Sequence, residues 1–339
     1  MNMYPLLPEG FTSRPVIMDD IDGVVDLVNA DAAQIIGIEK FSADEFLPEW
    51  TTPRFELDRD TRLVIAPDGS IAGYYEVWDL EDPHVQIFCW GRVHPAHTGK
   101  GIGTHLLGWA EERARQAIPL APAEARVRLL VDVLDINPPA HELFRNCGFQ
   151  LVRHSLRMVT SLDGSPPQPQ WPANIAVRTM RVGQDERAVF SVSREAFRDH
   201  WGHVERPFEE EYSRWLHHNK SRQDFDPSLW FLAVDGEQIA GICLCRMTTH
   251  DDPEMGWVSI LAVRKPWRQR GLGLALLLNA FGEFQRRGKS KVGLGVDAEN
   301  LTGATRLYLR AGMHPDPNRQ FSIFEKELRP GVEITTQAL

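Results

Sequence analysis

The stretch WVSILAVRKPWRQRGLGLALLLNAFGEF, residues 257–284, decides the fold. It begins with strand-forming side chains from Trp257 to Val263, and RQRGLG then opens a segment with helical periodicity. The apolar residues of that segment recur at spacings of three and four, at Leu274, Leu277, Leu278, Phe281 and Phe284. Such spacing places one apolar stripe against a core. The stretch therefore predicts a buried strand, a glycine turn and an amphipathic helix.

The glycine turn is chemically suited to a diphosphate. Free backbone N–H groups and the helix macrodipole make the start of a helix attractive to anions. Gly271 and Gly273 would let the backbone approach such a group, while Arg268 and Arg270 would supply charge and forked donors. A surface turn that merely requires glycine is the alternative. We favour the diphosphate site because the strand, the turn and the helix occur twice.

The second occurrence is RVHPAHTGKGIGTHLLGWAEERA, residues 92–114. An apolar strand, an Asp-Gly turn and another strand also occur twice, at residues 63–74 and 230–242. Further residues of the first copy recur 163 to 170 positions later, as the pairs Gly101 and Gly271, Asn137 and Asn300, and Gly148 and Gly312. These offsets indicate the duplication of a whole domain.

The joint between the copies is SLDGSPPQPQWPAN, residues 161–174, which is dense in proline and polar residues. We therefore expect an N-terminal domain at 1–164, a proline-rich linker at 165–176 and a C-terminal domain at 177–339. Helices are predicted at 19–33 and 185–197, and late buried strands at 127–133 and 292–297. The predicted fold class is α/β, with a mixed central sheet flanked by helices in each domain.

Composition limits the function classes. The formal net charge is −10, and nucleic-acid binding normally needs a basic face, so we expect no nucleic-acid partner. The amino-terminal residues lack a signal-peptide pattern and no run of 18 apolar residues occurs, which predicts a cytoplasmic protein without a membrane partner. The four cysteines lack zinc-ligand spacing, so no metal is expected. We expect a monomer or homodimer.

The turn resembles the signature of the GCN5-related N-acetyltransferases (GNAT family): Arg or Gln, two residues, Gly, any residue, then Gly or Ala. RQRGLG, residues 268–273, fits every position, and DAENLTGATRLYLRAGM, residues 297–313, is similar to the strand, loop and Leu-Tyr helix that follow it in the family. The resemblance covers nearly the whole chain in two tandem units. The tandem order is also similar to that of mycothiol synthases.

The resemblance implies that acetyl-CoA lies in a gap between two parallel strands, with its pantetheine amides bonded to the strand before the turn. Carried over by position, the cofactor residues of the second copy would be Leu261, Ala262, Val263, Arg268, Gln269, Arg270, Gly271, Leu272, Gly273, Leu274, Asn300 and Arg306. Those of the first copy would be Val93, Gly99, Lys100, Gly101, Ile102, Gly103 and Asn137.

The second copy is the one expected to catalyse. The resemblance implies that Tyr308, in the Leu-Tyr pair, is the acid that protonates the leaving thiolate. Phe144 takes its place in the first copy and cannot donate a proton, and Thr98 stands where the signature has Arg or Gln. A purely packing role for Tyr308 is the alternative.

Residues for the acceptor are less clearly marked. Glu254, just before the strand, is a candidate base, although an ordinary exposed carboxylate is the alternative. His200 and Trp201 are candidate acceptor contacts, because the family's first two helices cover the acceptor site there; a packed loop is the alternative.

The sequence therefore predicts an acyl-CoA-dependent N-acetyltransferase that acts on a primary amine of a small molecule. Mycothiol synthase-type acetylation of an amino-sugar thiol precursor is one alternative. A non-catalytic acyl-CoA sensor is another.

Overall fold

The computed structural model describes residues 6–37, 41–80, 82–222, 224–249, 251–299 and 303–336. Asn300 lies outside these residues. Through Ser161 the elements are β1 (Thr12–Arg14), α1 (Ile21–Ile36), α2 (Ala43–Trp50), α3 (Leu57–Asp60), β2 (Thr61–Ile65), β3 (Ile71–Trp78), β4 (Gln86–Val93), α4 (Ile102–Arg115), β5 (Val127–Leu134), α5 (Pro138–Asn146) and β6 (Gln150–Ser161).

The later part of the chain repeats this order. Its elements are β7 (Ile175–Thr179), α6 (Glu186–Phe197), α7 (Phe208–Lys220), β8 (Trp230–Asp235), β9 (Gln238–Arg246), β10 (Met255–Val263), α8 (Leu272–Arg286), β11 (Lys291–Asp297), α9 (Ala304–Arg310) and β12 (His314–Arg329). The α/β class is confirmed, and each predicted helix and strand named above forms within a few residues of its expected bounds.

The chain divides into two compact units, each with segments from both halves of the sequence. Unit 1 contains Met1–Arg153, Arg206–His218 and Phe321–Ile334. Unit 2 contains His154–Glu205, Asn219–Gln320 and Thr335–Leu339. β6 and β12 each pass from one unit to the other, and the segment Arg206–His218 belongs to unit 1. The domain bounds 1–164 and 177–339 stay predictions. The linker at 165–176 stays a prediction.

The strands of each unit pair in both parallel and antiparallel fashion. In unit 1 the strands are ordered β1-β2-β3-β4-β5, and residues 321–329 of β12 pair with β5. In unit 2 residues 155–161 of β6 pair with β11, and the order continues through β10, β9 and β8 to β7. The β4–β5 and β10–β11 pairs are parallel, and the others are antiparallel.

The core of unit 2 lies between α8 and the sheet. Four of the five predicted stripe residues are buried: Leu277, Leu278, Phe281 and Phe284. Leu274, in the first turn of α8, is only partly buried because it lines a cavity. The apolar stripe thus fixes α8 on the sheet and holds its amino end at the edge of that cavity.

Candidate active site

The glycine turn of unit 2 has the backbone geometry that an anion site needs. β10 ends at Val263, and α8 begins at Leu272 with Gly271 as its N-cap residue. Gly271 has a φ of 83°, in the left-handed region where a Cβ is unfavourable. A Cβ on Gly273 would lie 2.9 Å from Cδ1 of Leu307, so glycine here lets α8 and α9 pack without displacing Leu307.

Arg268 organises this turn rather than extending from it. Its Nε donates to the carbonyl oxygen of Val263 at 2.9 Å, and its Nη2 donates to that of Ala196 at 3.0 Å. The guanidinium group thereby joins the end of β10 to the end of α6. The expected forked donor to a phosphate is therefore replaced by a bridge between two backbone segments. Arg270 is exposed and, within the described part of the chain, does not line the cavity.

A gap opens between β10 and β11 beyond their parallel pairing. The two strands pair from Met255–Lys291 to Val258–Leu294. After that point β10 continues along β9 to Val263, whereas β11 continues along β6 to Asp297. The strands therefore diverge in the manner that the family resemblance implies, and the second half of β10 presents backbone groups to the gap.

The gap forms part of a cavity of about 650 Å³ within unit 2. Its lining includes most of the sequence-predicted residues, namely His200, Leu261, Ala262, Val263, Arg268, Gln269, Gly271, Leu272, Gly273, Leu274, Arg306 and Tyr308. A volume of this size is typical of a small-molecule site. Strand, turn and α9 therefore meet at one cavity.

Tyr308 lies in the wall of this cavity and is only 8% exposed. Burial, with a further contribution from Cys243, raises the pKa of the phenol to about 12. Because burial disfavours the phenolate, the group keeps its proton at neutral pH. It can thus act as a hydrogen-bond and proton donor.

His200 also lines the cavity, from the segment that follows α6. Burial, followed by the charge of Arg268, lowers the pKa of its imidazole, which favours the neutral form at pH 7. Among the described residues, the cavity lining includes neither Trp201 nor Glu254. Glu254 lies in an exposed turn before β10, where its backbone N–H donates to Asp252 and its carbonyl oxygen accepts from Lys291.

Sequence reasoning missed part of the lining. Ala196 and Phe197 contribute from α6, Ser259 contributes from β10, and residues 294–297 contribute from β11. The two α6 residues could have been found only by knowing that α6 crosses the end of β10. For β11, the glycines at 293 and 295 were the available signal, because they interrupt a run of otherwise strand-forming residues.

Unit 1 repeats the turn. Gly101 is the N-cap residue of α4 and has a φ of 79°. The ammonium group of Lys100 donates to the carbonyl oxygen of Ala96 at 3.1 Å and lies 3.0 Å from Nδ1 of His97. The carboxamide oxygen of Asn137 accepts from the backbone N–H of Ala140 at 3.3 Å, so Asn137 caps α5.

The remaining predicted residues of unit 1 follow the same plan. Val93 ends β4, Gly99 has a φ of 75°, and Ile102 is fully buried in the first turn of α4. A Cβ on Gly103 would lie 3.0 Å from Leu143. The turn of unit 1 thus keeps the backbone form of the turn in unit 2.

The position of Tyr308 is taken by Phe144 in unit 1. Phe144 is 6% exposed and packs against Phe149 and Phe324, with ring centroids 5.8 and 5.6 Å away. This aromatic cluster has no proton to donate. Unit 1 therefore has the turn without the phenol.

No group of three or more metal-ligating side chains occurs within the residues that the structure describes. Over those same residues, no helix combines the length and the apolar character required to cross a bilayer.

Comparison with known proteins agrees with this geometry. The sequence profile of the acetyltransferase (GNAT) family matches residues 31–149 and 189–313, one segment for each copy of the turn. The chain belongs to the acetyltransferase (GNAT) family. This GNAT protein is therefore an N-acetyltransferase, and membership implies an acyl-CoA co-substrate and a small acceptor.

Relatives and solved structures extend over most of this GNAT chain. A mycothiol acetyltransferase of Streptomyces bingchenggensis is 30% identical over 264 residues, which cover 75% of this chain and 77% of the relative. A GCN5-related N-acetyltransferase from Sphaerobacter thermophilus is 38% identical, with a TM-score of 0.78. The match covers 97% of this chain and 99% of that protein. A tandem GNAT protein from the clavulanic acid pathway, 18% identical with a TM-score of 0.71, covers 94% of this chain and 99% of its own and shares the fold.

Proposed function

We propose that this GNAT protein transfers the acetyl group of acetyl-CoA to a primary amine, and that the transfer takes place in the cavity of unit 2. The proposed acceptor is an amino-sugar thiol precursor of the mycothiol acetyltransferase type. This choice is supported by relatives that are named mycothiol acetyltransferase and are about 30% identical over most of the chain. Unit 1 is proposed to be catalytically degenerate.

The chemistry is a direct transfer. The neutral amine nitrogen attacks the thioester carbonyl carbon, a C–N bond forms, and the C–S bond breaks. The leaving thiolate takes a proton from the phenol of Tyr308, and the nitrogen releases a proton to water. The phenolate then regains a proton from water, which restores the phenol. The thiol product has a lower pKa than Tyr308, so the transfer from the phenol is uphill and depends on positioning.

Acetyl-CoA fits the residues around the cavity. The start of α8 offers free backbone N–H groups at Leu272 and Gly273, which suit a diphosphate. The unpaired edge of β10 from Leu261 to Val263 suits the pantetheine amides, since backbone groups there face the gap. Two consecutive elements would thus bind acetyl-CoA: the start of α8 would bind its diphosphate, and β10 would bind its pantetheine.

One observation carries the proposal: a protonated, buried phenol lies in the same cavity as the glycine turn and the free edge of β10. A protein that only sensed acyl-CoA would need the turn and the edge but no proton donor. We therefore place transfer ahead of sensing.

The test is to incubate the protein with acetyl-CoA and a panel of amino sugars, aminoglycosides, polyamines and peptides. We expect thiol release in a one-to-one ratio with an acetylated amine detected by mass spectrometry, and the fastest release with an amino sugar. Tight acetyl-CoA binding without thiol release from any amine would contradict transfer and favour the sensor.

A further inference from the structure

A β-bulge in β10 contributes to the wall of the cavity of unit 2. The pairing of β9 with β10 shifts register between Val258 and Ile260, so Ser259 is an extra residue in β10. Ser259 is exposed, lines the cavity, and accepts a hydrogen bond from Nε of Arg246 at 3.2 Å. Cys243 and Cys245 belong to the core beside α8. Because side chains alternate along a strand, Arg246 lies on the face of the sheet opposite α8. Ser259 therefore joins the cavity lining to the exposed surface beside Arg246, and we call this place the second mouth.

Trp257 lies beside this second mouth. Its backbone pairs with Arg246 on β9, so both side chains lie on the face opposite α8. Cζ3 of the indole is 3.0 Å from the position of a Cβ on Gly293, and Cζ2 is 3.9 Å from that of Gly295. The ring thus lies along the bare backbone of β11, and its Cζ2 edge reaches Gly295, which lines the cavity.

The indole is held in place by a buried ion cluster. The guanidinium carbon of Arg157 lies 5.2 Å from the ring centroid. Arg157 is itself bonded through two nitrogens to the carboxylate of Asp251, which also accepts from Nε of Arg319 at 3.0 Å. Because these groups are nearly buried, they restrict the ring, while Trp257 keeps part of its surface exposed. A restricted, partly exposed aromatic ring at a cavity mouth suits ligand binding.

We propose that the acceptor binds at this second mouth, with a hydroxylated ring against Trp257 and its hydroxyl groups near Arg246 and Ser259. This inference rests on the proposed function and adds the residues that select the acceptor. A sugar ring has apolar C–H groups that suit the indole and hydroxyl groups that suit a guanidinium and a hydroxyl. Asp297, which lines the same cavity, places a carboxylate where an incoming ammonium group would be attracted.

Unit 1 lacks this arrangement, which supplies a matched control. The pairing of β3 with β4 runs from Gly73–Val93 to Trp78–Phe88 without a register shift, so no bulge residue follows Phe88. Phe88 pairs with Leu130 where Trp257 pairs with Gly293. Leu130 thus places a side chain at the strand position where unit 2 has Gly293.

The experiment measures the binding of D-glucosamine to the full chain saturated with CoA, by calorimetry, in parallel with thiol release from acetyl-CoA. We expect Trp257→Leu to weaken glucosamine binding at least tenfold and to leave the affinity for acetyl-CoA within twofold of wild type. Phe88→Leu, the matched change in unit 1, is expected to leave both values within twofold.

Gly295→Ala provides a second variant for the case in which Trp257→Leu also loses acetyl-CoA affinity. Its added methyl group makes only an ordinary contact with the indole and narrows the mouth, so we expect glucosamine affinity to fall at least threefold in a folded protein.

Wild-type glucosamine affinity in either folded variant, or no glucosamine binding by the wild-type protein, would overturn the inference. Glucosamine binding without thiol release would instead contradict the proposed transfer and leave the acceptor site standing.

Discussion

The two glycine turns of this protein share a backbone and differ in their side chains. Gly101 and Gly271 both begin a helix in the left-handed region, with φ values of 79° and 83°. The residue three positions earlier is Thr98 in unit 1 and Arg268 in unit 2. The hydroxyl of Thr98 donates to the nearby carbonyl oxygen of Pro95, whereas Arg268 bridges two elements.

The difference extends to the reacting end. Unit 2 places the phenol of Tyr308 in its cavity, and unit 1 places Phe144 in an aromatic cluster. Folding alone requires the glycines, because they start a helix in both units, and folding does not require the phenol. The comparison teaches that the turn identifies the fold, while the side chains around it determine which copy reacts.

The largest expected effect comes from exchanging the two aromatic residues. Tyr308→Phe removes the proton donor and keeps the ring, so we expect the turnover number to fall about 100-fold, the lower end for a lost general acid. Circular dichroism and acetyl-CoA affinity should be unchanged. Phe144→Tyr in unit 1 is the matched control and should leave turnover within twofold. An unchanged rate for Tyr308→Phe would remove the difference that we draw between the units.

The N-cap glycines of the two units allow a test in which both variants lose the same stability but only the variant in unit 2 loses activity. Gly271→Ala and Gly101→Ala both place a Cβ in the left-handed region, which costs about 1–2 kcal/mol. We expect similar decreases in the free energy of unfolding for both variants. Only Gly271→Ala should raise the KM for acetyl-CoA, about tenfold, because it shifts the backbone N–H groups of the cavity. A comparable rise for Gly101→Ala would mean that unit 1 contributes to turnover.

Arg268 should act through position rather than direct charge. Arg268→Ala breaks the bridge between Val263 and Ala196, so we expect the KM for acetyl-CoA to rise about fivefold, a loss near the net value of one hydrogen bond. Thr98→Ala is the control in unit 1 and should leave KM unchanged. Arg268→Gln, which can still bond to one carbonyl group, should recover part of the loss. An unchanged KM for Arg268→Ala would contradict this positional role.

The smallest effect is expected at Asn137. Its carboxamide caps α5, so Asn137→Ala should lower the free energy of unfolding by about 1 kcal/mol. Asn137→Ser should restore that loss, since serine is also a good N-cap residue. Neither variant should alter the KM for acetyl-CoA. A rise in KM for the alanine variant alone would instead identify Asn137 as a ligand.

Much of the fold could be predicted from local patterns. The strand, turn and helix around Gly271 have a clear pattern of apolar residues. The recurrence of this pattern around Gly101 indicates that a whole domain is duplicated. The passage of β6 and β12 between the units could not be predicted, because the pairing of a strand depends on distant partners that its own residues do not specify.

The site was predicted to a similar extent. Tyr308 and the strand Leu261–Val263 are implied by the family resemblance, and the structure brings them to one cavity. The bulge at Ser259 depends on the register of β9 with β10, which the sequence does not reveal. For the same reason the sequence marks Trp257 only as a strand residue, and it predicts the acceptor contacts at His200 and Trp201 instead.

A crystal structure of the full chain with bound CoA tests the central claim most directly. The account predicts CoA in unit 2, with its diphosphate at the start of α8 and its sulfur within hydrogen-bond distance of the phenol of Tyr308. A diphosphate bound elsewhere, or a phenol turned away from the sulfur, would contradict it.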